Sequence, residues 1–212
     1  MTHKLFWQDP YRTEAATRVA SVLGTEVTLE ETIIYALSGG QESDRGTIGG
    51  RPVLAARKDG LEIRYHLDEG HGLKAGDPVA LTIDWPRRYR LMRLHFAAEI
   101  VLELVYKTLG PIEKVGAHIA EDKARIDFAW EGAITPHLPM LAEAARSIVA
   151  SDQPILSAWS DEAAERRYWK IAEFAEVPCG GTHLKRTGEV GAIDLKRKNI
   201  GKGKERIEIY VP

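Results

Sequence analysis

Short runs of apolar and polar residues fill the first 86 positions, and beyond them the period changes. Residues 18–23, 26–29 and 32–37 are rich in β-branched side chains, and residues 47–48, 53–56, 61–66 and 79–83 repeat that character. Between them lie turn signals: the glycine-broken stretch from Ser38 to Gly46, the pair Asp59-Gly60, and Gly76-Asp77-Pro78. Many short strands with close turns predict a small β-barrel-like or sandwich domain over residues 1–86.

A helical period begins at Trp85-Pro86. Leu91, Met92, Leu94, His95, Ala98, Glu99, Val101, Leu102 and Val105 recur at helix spacing until Gly110-Pro111 stops the run. Strands are expected at 115–119 and 123–130, a helix at 137–150, and a second helix at 162–170 behind an N-cap in 157–161. The end reads as a hairpin, 192–198 and 206–211 around a turn at 201–204. Helices and strands mix without a regular βαβ repeat, so the fold class is α+β, with a second domain at 87–212.

Composition narrows the class. With 44% hydrophobic and 28% charged residues among 212, the chain is an ordinary globular protein able to bury a sizeable core. A formal net charge of −2 means that any nucleic-acid partner is met by a local patch. The single cysteine excludes an intrachain disulfide and suits a reducing compartment. The first ten residues lack the apolar core of a signal peptide, and no run approaches a membrane span. The expectation is cytoplasmic, with no membrane contact and no obligate protein partner.

Candidate chemistry centres on Pro178-Cys179-Gly180-Gly181-Thr182-His183. Thiolate and imidazole are preferred Zn²⁺ ligands, and the two glycines let the backbone turn so that both face one point. His95 and Glu99, four apart on one helix face, offer a second pair. A lone cysteine is more often a small buried hydrophobe, and a lone core histidine is more often simply hydrogen-bonded. The Gly39-Gly40-Gln41 loop is usually only a turn, although the Gln41 amide can both donate and accept, and Ser38, Ser43 and Asp44 crowd it. A basic excess follows the cysteine loop: Lys185, Arg186, Lys196, Arg197, Lys198, Lys202, Lys204 and Arg206 against Glu189, Asp194 and Glu205. Such a run is usually a solvated face; beside a metal loop it also suits a polyanion.

These residues resemble the AlaX family of alanyl-tRNA editing proteins, free-standing relatives of the editing domain of alanyl-tRNA synthetase. The similar stretches are residues 38–46, 91–95, 121–128, 179–183 and 198–203, in the family's order across nearly the whole chain. The length resembles the medium form. The resemblance implies a β-barrel-like first domain and an α+β editing domain with one zinc, held by His95, Cys179, His183 and Glu99. It implies hydrolysis of tRNA(Ala) mischarged with serine or glycine, with Gln41, Cys179 and Glu99 in catalysis. Gly39, Gly40, Gln41, Asp44 and Thr182 would then meet the substrate, and Lys185, Arg186, Lys196, Lys198, Lys202 and Lys204 the acceptor end of the tRNA. One departure stands out: the family has His-x-x-x-His where this chain has His95-Phe96-Ala97-Ala98-Glu99. Three roles stay open for Glu99: a substitute ligand, a proton acceptor outside the ligand set, or the mark of a weakened metal site. A tRNA-binding module with little catalysis, or an editor of Ser-tRNA(Thr), are the rival functions.

Overall fold

The computed structural model describes residues 2–201 and 203–212. They form two compact units, Met1–Ser38 with Glu42–Tyr89 and Gly39–Gln41 with Arg90–Pro212. The Gly39–Gln41 tripeptide, expected with the first domain, thus groups with the second.

The first unit runs β1 (His3–Lys4), the short α1 (Leu5–Gln8), β2 (Glu14–Leu23), β3 (Glu26–Leu29), β4 (Glu31–Thr32), β5 (Gly46–Ile48), β6 (Arg51–Pro52), β7 (Ala55–Asp59), β8 (Glu62–His66) and β9 (Pro78–Ile83). Seven strands form an antiparallel sheet in the order β6-β5-β9-β2-β3-β8-β7. The ten-residue β2 curls it. Its first half pairs with β9 and its second with β3, and the register shifts between Val19 and Ser21. Val19, Val27, Leu29, Ile33, Ile34, Ile48, Tyr65 and Leu81 fill the concave side.

Asp44, expected to meet the substrate, has its carboxylate engaged within this unit. The Arg88 side chain is fully buried, and its Nε donates to Asp44 Oδ1 at 2.8 Å. The Arg88 guanidinium and the backbone N–H of Tyr35 both donate to Asp44 Oδ2. Further Arg88 donors meet the carbonyls of Pro10 and Ile33 at 2.8 and 2.6 Å. A buried ion pair of this kind holds only when nearly every donor and lone pair is met, as here.

The second unit takes most of α2 (Trp85–Leu109), then β10 (Lys114–Ile119), β11 (Ala124–Ala129), a 3₁₀ turn at Thr135–His137 leading into α3 (Leu138–Ala150), β12 (Leu156–Asp161), β13 (Arg166–Ile171), β14 (Ala175–Pro178), a 3₁₀ turn at Thr187–Val190, β15 (Asp194–Asn199) and β16 (Lys204–Tyr210). Two antiparallel sheets result, β10-β11-β16-β15 and β12-β13-β14.

The helix expected at 162–170 is a hairpin. Ala164 N–H donates to Asp161 Oδ1 at 3.0 Å and Glu165 takes a φ of +52°, so the chain turns there. Arg167, Trp169 and Ile171 are then buried while Arg166 and Lys170 are exposed, a period of two that only a strand provides. Among the described residues no helix is long and apolar enough to cross a membrane.

Candidate metal centre

From Leu91 to Val105 nearly every position of α2 is buried, so polar side chains there must find partners in the interior. His95 and Glu99 meet each other first: His95 Nε2 lies 3.2 Å from Glu99 Oε1. The other carboxylate oxygen of Glu99 accepts from the indole N–H of Trp169 at 3.0 Å. Trp169 is fully buried and packs edge-on against Phe96, with ring centroids 5.2 Å apart, which fixes the donor.

The cysteine loop arrives from the three-stranded sheet. Cys179 N–H donates to Arg167 C=O at 2.9 Å and so adds one rung to the β13–β14 ladder. The chain then turns through Gly180 and Gly181. A Cβ at Gly181 would stand 2.0 Å from His95 Cε1 and 2.6 Å from its Nδ1. Only glycine lets the imidazole lie on the backbone here. Two residues on, His183 turns Nε2 to within 3.3 Å of Cys179 Sγ, while its Nδ1 lies 2.9 Å from Ser157 Oγ. That hydroxyl engages the far nitrogen and leaves Nε2 to face the sulfur.

Cys179 Sγ is also 3.5 Å from His95 Nε2 and 3.7 Å from Glu99 Oε1. One donor atom each from His95, Cys179 and His183 falls within 4.8 Å of the others. Tetrahedral Zn²⁺ with bonds of about 2.0–2.3 Å needs neighbouring N and S ligands about 3.6 Å apart. The donor types suit zinc, and the two sulfur–nitrogen distances, 3.5 and 3.3 Å, match that spacing. Glu99 Oε1 stands at ligand-like distance from His95 and Cys179.

Without an ion the same groups pair electrically. Burial opposes charge on His95, but the Cys179 sulfur and the Glu99 carboxylate overcome it and push its pKa up to about 10. Burial works against a charged Glu99 too, yet His95 and Trp169 draw it down to about 2. Burial holds His183 well below 6.5, with the charges of His95 and Arg167 adding to the effect.

Gln41 reaches this region because Gly40 lets its loop lie against β10. Ile119 N–H donates to Gly40 C=O at 2.8 Å, and Gly40 has a φ of +89° with Ala117 O only 2.8 Å from where a Cβ would be. The Gln41 amide donates to Thr182 Oγ1 at 2.8 Å and accepts from Thr182 N–H at 3.4 Å, and each residue is 1% exposed. The two residues hold each other beside Gly181, since Gln41 Oε1 is 3.0 Å from that glycine's Cβ direction.

Thus His95, Glu99, Cys179, His183, Gln41, Thr182 and Gly40 come together, while the basic residues divide. Arg186 binds Asp152 at 2.8 Å, and Arg197 binds Glu205 on the other side of β15 from Lys196 and Lys198. Lys196 and Lys198 are exposed, with the Lys196 ammonium 4.9 Å from the Tyr210 ring. Lys185 and Lys204 are exposed as well, and Lys202 lies outside the described residues. Sequence reasoning missed Ser157 and Trp169. The alternation in Arg166-Arg167-Tyr168-Trp169-Lys170-Ile171 is the signal that would have placed Trp169 on an inward face.

Residues 169–208 match the family model described as the threonyl and alanyl tRNA synthetase second additional domain. The alanyl-tRNA editing protein AlaX-M of Pyrococcus horikoshii is 36% identical over 215 residues, spanning 100% of this chain and 98% of that protein. AlaX-M of Saccharolobus solfataricus is 33% identical, with 98% of both chains covered. The alanine–tRNA ligase of Methanococcus aeolicus is 31% identical over 98% of this chain, which corresponds to 25% of that longer protein. With the His95-Cys179-His183 cluster, the second-additional-domain match and similarity along the whole chain in agreement, the chain belongs to the AlaX-M family of alanyl-tRNA editing proteins.

Proposed function

We propose that the protein hydrolyses the ester joining serine or glycine to the terminal ribose of mischarged tRNA(Ala). The observation that carries this is the convergence of His95, Cys179 and His183 on one point in a chain of this family. Zinc bound there would supply Lewis-acid polarisation or a fixed anchor for the aminoacyl end. His95, Cys179 and His183 would hold it, with Glu99 as the fourth ligand. Glu99 suits that role because Trp169 fixes one carboxylate oxygen and turns the other toward His95 and Cys179. Four protein ligands close a tetrahedral shell, so Lewis-acid polarisation would require the shell to expand to five, and the chain itself contributes mainly held geometry.

The need for such chemistry follows from pocket energetics. A pocket built for alanine rejects serine, which only adds a hydroxyl, by roughly 10²-fold, and a smaller residue no better. A second site that pairs with the hydroxyl leaves its own polar group unmet when alanine enters, which raises discrimination to about 10⁴-fold. Thr182, oriented by Gln41, is the residue we assign to that contact. Glycine is selected by size. Exposed Lys196, Lys198 and Lys204 would meet acceptor-stem phosphates.

Purified protein should release serine from Ser-tRNA(Ala), and chelation or Cys179→Ala should abolish the release. Unchanged release by Cys179→Ala would remove the metal centre from the reaction. Faster cleavage of Ser-tRNA(Thr) than of Ser-tRNA(Ala) would move the protein to the threonine acceptor.

A further inference from the structure

One face of the β12-β13-β14 sheet is committed to the metal centre. Ser157 and Trp169 lie opposite each other across β12 and β13, and they hold His183 and Glu99. Side chains two residues along a strand share its face. The next row on that face is Trp159 opposite Arg167, and Arg167 in turn bonds through its carbonyl to Cys179 N–H. Trp159, Arg167 and Cys179 therefore stand side by side on three adjacent strand segments.

Burial along that row is graded. Arg167 is 7% exposed, and its guanidinium carbon lies 5.1 Å from the Trp159 ring centroid. Trp159 is 36% exposed. A buried cation beneath an aromatic ring fixes the ring and leaves part of it to solvent. Two inter-strand spacings, about 10 Å, separate the Trp159 and Cys179 backbones. The ester, ribose and adenine of one aminoacylated nucleotide together cover a comparable span.

We propose that the Trp159 ring, backed by Arg167, is the platform on which the terminal adenine of the aminoacylated RNA stacks, delivering the ester to the Cys179 side of the centre. This rests on the hydrolase reading above. Trp159 would touch the substrate, and Arg167 is a positioning residue that acts through it. Loss of one base stack corresponds to a weakening of about 5- to 150-fold.

The test uses full-length zinc-loaded protein and an uncharged acceptor-stem minihelix whose terminal adenine is replaced by 2-aminopurine. Binding to the wild type should quench the 2-aminopurine fluorescence. Trp159→Ala should abolish the quench and raise KM for Ser-tRNA(Ala) by that factor, with the loss falling on KM more than on kcat. Trp159→Phe should restore part of both, and Arg167→Lys should retain more quench than Arg167→Gln. Wild-type quench and KM in Trp159→Ala would overturn the platform, as would loss of bound zinc in that variant. A wild-type quench without any deacylation would instead sink the hydrolase reading and leave the platform standing.

Discussion

Gly181→Ala tests the packing of the centre most directly. The added methyl would sit 2.0 Å from His95 Cε1 and 3.0 Å from Gln41 Oε1. Carbon atoms need about 3.5 Å, so the imidazole must retreat by roughly 1.5 Å. His95 is 4% exposed and hydrogen-bonded to Glu99, and Gln41 is tied to Thr182, so neither can swing into solvent. Overpacking a well-filled interior costs about 1–3 kcal/mol. In a chain of this length that lowers Tm by about 2–12 °C. Because the displaced group is one of the proposed ligands, zinc affinity should fall by at least the 10- to 100-fold seen for disturbed supporting groups. Competition against a chromophoric chelator measures the second effect and calorimetry the first. A variant that binds zinc as tightly as the wild type and melts at the same temperature would refute the account of why glycine is required.

Other consequences are equally specific. Zinc uptake at pH 7 should release a proton from His95, because its pKa in the metal-free protein is about 10; isothermal titration in buffers of different ionisation enthalpy counts it, and no release would contradict the pairing with Glu99 and Cys179. The raised His95 stabilises the metal-free fold below its ordinary 6.5, and that contribution is lost as pH rises through about 10. The lowered Glu99 contributes above its ordinary 4.5, and that contribution is lost as pH falls toward about 2. Apo stability from this pair should therefore be greatest between pH 4.5 and 6.5, as read from Tm across pH. Trp169→Phe removes the indole donor 3.0 Å from Glu99 and should weaken zinc binding about 10- to 100-fold by chelator competition, with unchanged affinity arguing against Glu99 as a ligand. Asp44→Asn strands the buried Arg88 charge and should destabilise the first unit by about 3–5 kcal/mol in denaturant titration.

What was legible in the sequence was local. The period of residues 91–105 and the Cys179–His183 spacing each lie within one short stretch, and the structure brings His95, Cys179 and His183 close together. What was hidden depends on residues far apart. Trp169 matters because of Glu99, 70 positions earlier, and Ser157 because of His183, 26 positions later. Residues 161–166 carry enough charge to look like a helix surface, and only the packing of Arg167, Trp169 and Ile171 reveals a strand. Asp44 sits among loop residues, and nothing local announces its buried partner Arg88, 44 positions away.

The union of residues 39–41 with the unit that begins at Arg90 limits how the centre can be moved to another scaffold. A fragment cut at Arg90 would keep His95, Glu99, Cys179 and His183 yet leave Thr182 without its amide partner, and Gly181 would lose one of the two walls that hold it. Grafting the centre therefore requires a covalent or added peptide carrying Gly-Gly-Gln along β10, and titrating such a peptide back into the truncated protein should restore its hold on zinc.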